Sequence, residues 1–206
     1  MTIGLTGGMG CGKSTAARMF EEAGLHRIDC DEIVRNDVLT APAVIDAIRH
    51  RWGPDVINAA TGTVDRPALA ARVFAADSDP DANARADHDR LWLENLLHPR
   101  VRAIWKARVA TAPADRWIVE VPLLFEKHLE KEFDFTVCVA ASSALQLERL
   151  KERGLPLALA EQRISKQLPL AQKIDLADFV LFNDGTPDFL REQVLLLVKQ
   201  QLGNHS

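Results

Sequence analysis

A glycine-rich stretch near the start of the chain has the residue types and the spacing that bind a phosphate chain. Residues 7–14 read Gly-Gly-Met-Gly-Cys-Gly-Lys-Ser and fit the pattern G-x-x-x-x-G-K-[ST]. Glycines let successive backbone N–H groups approach an anion, and the helix expected from Lys13 adds its positive N-terminal end. Lys13 can reach the β- and γ-phosphates, and the Ser14 hydroxyl can ligate Mg²⁺. The stretch therefore predicts a nucleotide-phosphate site.

The residues on either side of this phosphate loop supply the elements that it requires. Ile3 and Leu5 indicate a short buried strand before the loop. Apolar residues at helical spacing follow it, namely Ala16, Ala17, Phe20 and Ala23. A dinucleotide-binding fingerprint fails because its third glycine would fall on Lys13. The alternative without a function is a glycine turn that joins a strand to a helix.

Composition excludes several classes of protein. The chain has 206 residues, 47% hydrophobic and 26% charged, which is typical of one soluble globular domain. A formal charge of −4 argues against a nucleic-acid partner. No apolar run approaches membrane-spanning length, so we expect a cytoplasmic protein with no membrane partner. A monomer and a weak homo-oligomer both suit the sequence.

The three cysteines, Cys11, Cys30 and Cys138, do not have the spacing of a metal site. Their odd number argues against a disulfide framework. Cys11 lies in the phosphate loop, where backbone N–H groups could lower the pKa of its thiol and make it sensitive to oxidation. The alternative is that Cys11 only fills a small space.

A carboxylate follows the second predicted strand, His26–Asp29. Functional groups in open α/β sheets gather at the carboxyl ends of the strands, and Asp31 falls there. It could accept a proton from an attacking hydroxyl or hold Mg²⁺ through water. The structural alternative is an N-cap of the helix expected near Glu32. Asp29 is the weaker candidate because alternation along a strand turns it the other way.

Residues 33–112 have a largely helical pattern that is too long for a simple crossover between strands. An insertion beside the phosphate loop suits an acceptor-binding lobe. His98 and Arg102 stand four residues apart and could face one acceptor phosphate. The alternative is that Pro99 marks the boundary of a helix whose charges are exposed.

Three further strands are predicted, at Trp117–Val121, Phe135–Val139 and Ala177–Phe182. Glu120 is the one charge in the first of these, and it could orient Mg²⁺ through water. The following stretch, Pro122–Glu126, is expected to form a short helix. We interpret Glu126 as a first-turn helix charge rather than a ligand.

A basic helical stretch lies between the last two strands, and it includes Gln146, Arg149, Lys151, Arg153, Arg163, Lys166 and Lys173. A basic lid could stabilise a transferring phosphoryl group and exclude water. We favour a function for Arg149 and Arg163, whereas solvated charge explains Lys151 and Lys166. Asn183 could contact an adenine edge or simply form a turn. Thr186 and Pro187 are expected to start the last helix.

With these pieces placed, the chain resembles the dephospho-coenzyme A kinases, a family of nucleoside-monophosphate-kinase-like P-loop enzymes. Beyond the phosphate loop, the matching stretches are Ile28-Asp29-Cys30-Asp31 with Arg35, Asp65-Arg66, Leu97-His98-Pro99 with Arg102, Val121-Pro122-Leu123-Leu124-Phe125-Glu126, Gln146-Leu147-Glu148-Arg149, Arg163 with Gln167, and Ala177-Asp178 with Asn183 and Gly185. The I-D-x-D and V-P-L-L-F-E strings are the specific ones. Cys11, Cys30 and Glu120 depart from the family, which commonly has serine, alanine and aspartate there.

The resemblance implies transfer of the γ-phosphoryl group of ATP to the ribose 3′-hydroxyl of dephospho-coenzyme A, with Mg²⁺. It implies catalytic roles for Lys13, Asp31 and Arg149, with Asp31 as general base and Ser14 as metal ligand. The expected nucleotide-binding residues are Gly8, Met9, Gly10, Cys11, Gly12, Lys13, Ser14, Thr15, Arg149, Asn183 and Gly185. The expected acceptor-binding residues are Asp31, Arg35, His98, Arg102, Leu123 and Arg163.

The expected fold is a three-layer α/β P-loop domain with a mostly parallel five-stranded sheet. We expect its core at about 1–31, 115–148 and 177–206, a helical acceptor-binding lobe at about 32–114 and a lid at about 149–176. One alternative is a sibling P-loop kinase with another small-molecule acceptor. A second alternative is a non-catalytic nucleotide-binding switch, which would not need the lid arginines.

Overall fold

A computed structural model describes residues 1–74 and 80–203, and the chain forms two compact units. The first unit, here called the core unit, comprises Met1–Asp29 and Val109–Ser206. The second, here called the helical unit, comprises Cys30–Arg108.

The core unit contains five strands, which are β1 (Thr2–Gly7), β2 (His26–Asp29), β3 (Trp117–Glu120), β4 (Phe135–Ala140) and β5 (Phe179–Phe182). Its helices are α1 (Lys13–Glu22), α6 (Ser143–Glu152), α7 (Leu157–Ser165), α8 (Leu170–Leu176) and α9 (Pro187–Leu202). The helical unit contains α2 (Cys30–Ile33), a π-helical segment (Val34–Val38), α3 (Pro42–Trp52), α4 (Arg66–Val73) and most of α5 (Pro80–Thr111). Two single turns of 3₁₀-helix lie at Pro54–Val56 and Glu130–Glu132.

The five strands form one sheet in the order β2-β3-β1-β4-β5, and every pairing is parallel. The phosphate loop leaves the central strand β1, with β3 and β4 on either side. Parallel strands place all their carboxyl ends along one edge, where ligands bind in this class of fold. The predicted P-loop α/β fold and its five-stranded sheet are therefore confirmed.

Alternation along β1 divides the core unit into layers. Ile3 and Leu5 are buried in a cluster that also contains residues of α1 and α9, such as Phe20 and Leu190. Gly4 lies on the opposite face, where a Cβ atom would meet the side chains of Leu124 and Phe133 at 2.7 Å. The second face is thus packed by the segment that follows β3.

Side-chain hydrogen bonds cap and connect helices within the helical unit. The Asp65 side chain caps α4 by accepting a hydrogen bond from the backbone N–H of Ala68 at 3.0 Å. Asp89 on α5 accepts hydrogen bonds from Arg51 at 2.8 Å and from the Trp52 indole at 3.0 Å, both at the end of α3. The Trp52 ring meets Trp92 edge-on, with 5.0 Å between the ring centroids.

The alternative in which Pro99 marks a helix boundary is wrong, because α5 continues through Pro99. A proline inside a helix removes one N–H donor and crowds the preceding turn. Here the Arg100 guanidinium donates a hydrogen bond to the carbonyl of Leu96 at 2.6 Å. His98 is half-buried and Arg102 is exposed on the same helix.

One further local prediction is wrong, and so is the N-cap alternative for Asp31. Pro122–Glu126 forms a series of turns, because the N–H groups of Lys127, His128 and Leu129 bond to carbonyls four, three and five residues back. His128 also has a φ of 51°, which ends any right-handed helix. Asp31 is not an N-cap, because α2 already begins at Cys30 and Asp31 lies in its first turn.

Within the described parts of the chain, every helix is too short or too polar to cross a membrane.

We expect the Leu190→Ala substitution to lower the free energy of unfolding by about 2–5 kcal/mol, because it leaves a cavity beneath the sheet. Leu190 is fully buried, whereas Leu196 on the same helix is 54% exposed. Leu196→Ala is the matched control and should change stability by less than about 0.5 kcal/mol. Urea denaturation measures both, and equal losses would contradict the packing of α9.

Candidate active site

The phosphate loop is held against β4 and against Asn183, the residue after β5, at distances that admit only glycine at two positions. A Cβ atom on Gly7 would lie 2.2 Å from the carbonyl oxygen of Val139, its register partner in β4. A Cβ atom on Gly12 would lie 2.1 Å from Nδ2 of Asn183. Both glycines have positive φ, 146° and 92°, which other residues rarely adopt. The glycines therefore fix the path of the loop as well as its access to anions.

Two polar side chains from later in the chain brace this loop. The buried Asn183 amide donates a hydrogen bond to the carbonyl of Cys11 at 2.8 Å. Arg149 on α6 donates to the Asn183 carbonyl at 2.9 Å and to the Gly10 carbonyl at 3.4 Å. The loop, the start of the turn after β5 and α6 are thus joined in one network. Sequence reasoning had not predicted a bracing role for either residue.

Lys13 and Ser14 begin α1 and lie on the same loop. The Lys13 ammonium donates to the carbonyls of Gly7 and Gly8 at 3.2 and 3.0 Å. The Ser14 hydroxyl donates to Oε1 of Glu120 at 2.9 Å. Glu120 ends β3, beside β1, so the sheet itself brings the carboxylate to the loop.

Glu120 is a buried carboxylate at the carboxyl edge of the sheet, with 4% of its surface exposed. Burial raises its pKa and the hydrogen bond from Ser14 opposes that rise. Its second oxygen, Oε2, lies 3.6 Å from the Arg27 guanidinium and accepts no hydrogen bond from the described residues. Arg27 also donates to Asp29 at 3.0 Å. Asp29 therefore belongs to an ion-pair network beside Glu120.

This donor set fits Mg²⁺. A hydroxyl and a carboxylate with a buried, unused oxygen are hard oxygen ligands, which Mg²⁺ prefers. Among residues 1–74 and 80–203, no group of three or more His, Cys, Asp or Glu side chains could hold a metal ion. That is compatible with Mg²⁺, which usually takes one or two protein ligands together with phosphate oxygens and water.

A cavity of about 330 Å³ opens beside the loop. It is lined by Gly12, Thr15, Arg149, Glu152, Arg153, Asn183, Gly185 and Pro187. Four residues that were predicted to bind nucleotide and that follow the phosphate loop in sequence come together here. They are Thr15, Arg149, Asn183 and Gly185. Sequence reasoning missed Glu152 and Pro187. For Glu152, the nearest available signal was helical spacing, because it follows Arg149 by three residues on α6. Arg153 follows Arg149 by four residues, just after α6 ends.

The residues predicted to bind the acceptor do not line this cavity. Asp31, Arg35, His98 and Arg102 belong to the helical unit, with Arg35 on the π-helical segment. Leu123 and Arg163 belong to the core unit and are half-buried. Neither of these two lines the cavity described above.

Two charged residues have environments that differ from the predictions. Lys173, included in the predicted basic lid stretch, is fully buried. Its ammonium lies 2.8 Å from Oε1 of Glu126 and donates to the carbonyl of Pro122 at 2.9 Å. Glu126 is therefore not a first-turn helix charge, because the predicted helix is absent from this described segment. The spacing of charges along a helix cannot reveal a partner that is more than forty residues away.

The buried cysteines behave as small apolar residues. Burial raises the pKa of the Cys11 thiol, so the predicted lowering of that pKa by the loop is wrong. Burial also raises the pKa of Cys138 to about 12. Both thiols stay protonated near neutral pH, and the space-filling interpretation holds for Cys11.

We expect Gly12→Ala to weaken ATP binding at least ~10-fold, or about 1.4 kcal/mol, because the new methyl group displaces Asn183 from the loop. Gly24→Ala is the matched control, since Gly24 has a φ of 96° and no described atom would lie within 4 Å of its Cβ. Titration calorimetry measures ATP binding and urea denaturation measures the strain that both variants share. Equal ATP affinity in the two variants would contradict the bracing role of Asn183.

Known proteins resemble this chain over nearly its whole length. The family model described as dephospho-CoA kinase (CoaE) matches residues 1–188. The chain is 36% identical to the dephospho-CoA kinase of Chlorobaculum tepidum over 200 residues, covering 94% of this chain and 91% of that protein. It is 35% identical to the dephospho-CoA kinase of Geobacillus kaustophilus over 204 residues, covering 97% and 96% of the two chains.

Solved structures give the same fold. The crystal structure of TT1252 from Thermus thermophilus has a TM-score of 0.78 at 30% identity, covering 98% of this chain and 97% of that one. The dephospho-CoA kinase from Campylobacter jejuni has a TM-score of 0.67 at 21% identity, covering 98% of each chain. The second likeness supports the fold alone because its identity is low. On the family model and the curated relatives, this chain belongs to the dephospho-CoA kinase family.

Proposed function

We propose that this protein transfers the γ-phosphoryl group of ATP to the ribose 3′-hydroxyl of dephospho-coenzyme A, giving coenzyme A and ADP. The observation that carries the proposal is the family match over residues 1–188, which includes the phosphate loop and the residues that brace it. The cavity beside Gly12 and Asn183 is the candidate site for the nucleoside part of ATP. We keep the cytoplasmic location and the monomer or weak homo-oligomer as predictions from sequence.

The cationic side chains at the loop suit a phosphoryl transfer, in which catalysis is mostly positioning and charge stabilisation. The Lys13 ammonium hydrogen-bonds carbonyls of its own loop, so it is already placed beside the backbone that would hold the phosphates. The Arg149 guanidinium lines the cavity and contacts the loop at Gly10. In the proposal, these two cationic side chains together stabilise the negative charge of the transferring phosphoryl group.

Asp31 is the proposed general base. A neutral alcohol must lose a proton as it attacks phosphorus, whereas a phosphate acceptor is already anionic. Asp31 lies two residues after the end of β2, in the first turn of α2, and its side chain is exposed. This position at the carboxyl end of a strand, together with the family resemblance, supports the assignment.

Mg²⁺ is the proposed metal ion, with Ser14 as its ligand and Glu120 beside that ligand. When bound, it would neutralise charge on the β- and γ-phosphates. Glu120 replaces an aspartate common in the family and reaches one methylene further. Its buried second oxygen supports a part for this carboxylate in holding water around the ion.

We also propose that different segments of the chain bind ATP, bind the acceptor and exclude water. Residues 1–31, 115–148 and 177–206 would bind ATP, and residues 149–176 would form a lid that excludes water. Residues 32–114 would form the acceptor-binding lobe, with Arg35, His98 and Arg102 contacting the acceptor. Leu123 and Arg163 would contact it from the remaining segments.

The direct test is ADP formation from ATP and Mg²⁺, with and without dephospho-coenzyme A, beside adenosine, AMP, pantothenate and shikimate. We expect strong stimulation by dephospho-coenzyme A alone, with coenzyme A recovered in equal amount. Stimulation by another acceptor would indicate a sibling kinase. Nucleotide binding without acceptor-dependent ADP would indicate a switch protein.

We expect Asp31→Asn to lower kcat by about 10²–10⁴-fold and to leave ATP binding unchanged, because it removes only the proton acceptor. Lys13→Ala and Arg149→Ala should each lower kcat by orders of magnitude as well. Asp46→Asn is the matched control, since Asp46 lies on the exposed face of α3 and pairs with Arg49. Normal turnover in Asp31→Asn would exclude its role as the base.

A further inference from the structure

A buried ion pair joins two segments of the core unit that are far apart in sequence. Lys173 on α8 has no exposed surface, and its ammonium lies 2.8 Å from Oε1 of Glu126. The same ammonium donates to the carbonyl of Pro122 at 2.9 Å. Lys173 therefore contacts both ends of the segment 122–126, which we call the post-β3 segment.

Glu126 completes the connection from the other side. Its Oε1 atom also accepts a hydrogen bond from the backbone N–H of Leu168 at 2.9 Å, just before α8 begins. Its Oε2 atom is buried and accepts no hydrogen bond from the described residues. One carboxylate oxygen thus holds both the backbone at Leu168 and the ammonium of Lys173, which makes residues 168–173 one fixed unit with the post-β3 segment.

The end of β1 contributes a third connection. The Thr6 hydroxyl donates to the carbonyl of Pro122 at 3.4 Å, so this carbonyl accepts bonds from both Thr6 and Lys173. Thr6 immediately precedes the phosphate loop. The post-β3 segment is therefore tied to the loop's supporting strand as well as to α8.

Stability alone does not explain such a pair. Burying two charges has a desolvation cost that their attraction often only balances, and apolar residues of similar volume can be equally stable. The hydrogen bonds to Leu168 and Pro122, by contrast, require these donors and acceptors. What the pair supplies beyond packing is a fixed position for two backbone segments.

We propose that Glu126 and Lys173 are positioning residues that hold the post-β3 segment in register with residues 168–173. This inference rests on the proposed function, in which Leu123 contacts the acceptor and residues 149–176 form the lid. Leu123 lies between the two points that Lys173 contacts, and residues 168–173 belong to the proposed lid. The pair couples acceptor binding to the position of the lid, so that the γ-phosphoryl group of ATP is transferred to the acceptor rather than to water.

The test uses the double variant Glu126→Met/Lys173→Met, which removes both charges and the acceptor for the Leu168 N–H at nearly constant volume and leaves no unpaired buried ion. We expect its KM for dephospho-coenzyme A to rise at least ~10-fold, with the KM for ATP unchanged within about 2-fold. We also expect less than one coenzyme A formed for each ADP, because an imperfectly placed lid admits water. Urea denaturation measures its stability in parallel.

The ratio of coenzyme A to ADP and the two KM values do not depend on how much of the protein is folded. They therefore remain informative even if the double variant is less stable. Wild-type KM values and a ratio of one in the double variant would overturn the positioning role and leave the pair as a packing feature. Glu22→Gln is the matched control, because Glu22 forms an exposed ion pair with Arg191 on the same unit.

Failure of the inference and failure of the proposed function give different results. If the wild-type protein forms no coenzyme A, the proposed function fails and the coupling role falls with it. If the wild type forms coenzyme A and the double variant does so with the same KM and ratio, only the positioning role fails.

Discussion

The close approach of the phosphate loop to β4 is the constraint on which the rest of this structure depends. Parallel pairing of β1 with β4 places Gly7 opposite Val139, with no room for a side chain between them. The loop then passes Asn183 and Arg149, which hold it by hydrogen bonds to its carbonyls. These bonds to its carbonyls hold the loop in one path, and a fixed backbone path is what anion binding by successive N–H groups requires. Positioning of this kind is the main contribution that a protein makes to phosphoryl transfer.

The same parallel sheet gathers charge at its carboxyl edge. Glu120 and Asp29 are register partners at the ends of β3 and β2, and Arg27 lies against both carboxylates. Burial of Glu120 raises its pKa, which shows that holding this charge away from water has a cost. Ser14 and Arg27 offset part of that cost. An arrangement of this kind is typical of functional sites, where a buried acid is kept for its chemistry.

In the described residues of the helical unit, helices are connected by side-chain hydrogen bonds rather than by a sheet. Its helices α3 and α5 are joined by Arg51 and Trp52 around Asp89. Burial alone would raise the pKa of Asp89, but the hydrogen bonds from Trp52 and Arg51 outweigh it and hold that pKa below its usual value.

The sequence by itself determined the phosphate loop, the parallel five-stranded sheet and the helices on either side of it. Those features follow from local rules, namely glycine spacing, apolar periodicity and helix caps such as Thr186. Only the tertiary structure decided the partners of Asn183, Lys173 and Glu126, because each partner lies more than thirty residues away in sequence. It also decided that the Cys11 thiol keeps its proton, since burial outweighs the nearby positive charge of Lys13. Local patterns report which residues can do chemistry, and long-range packing sets the solvation and contacts that decide what each one does.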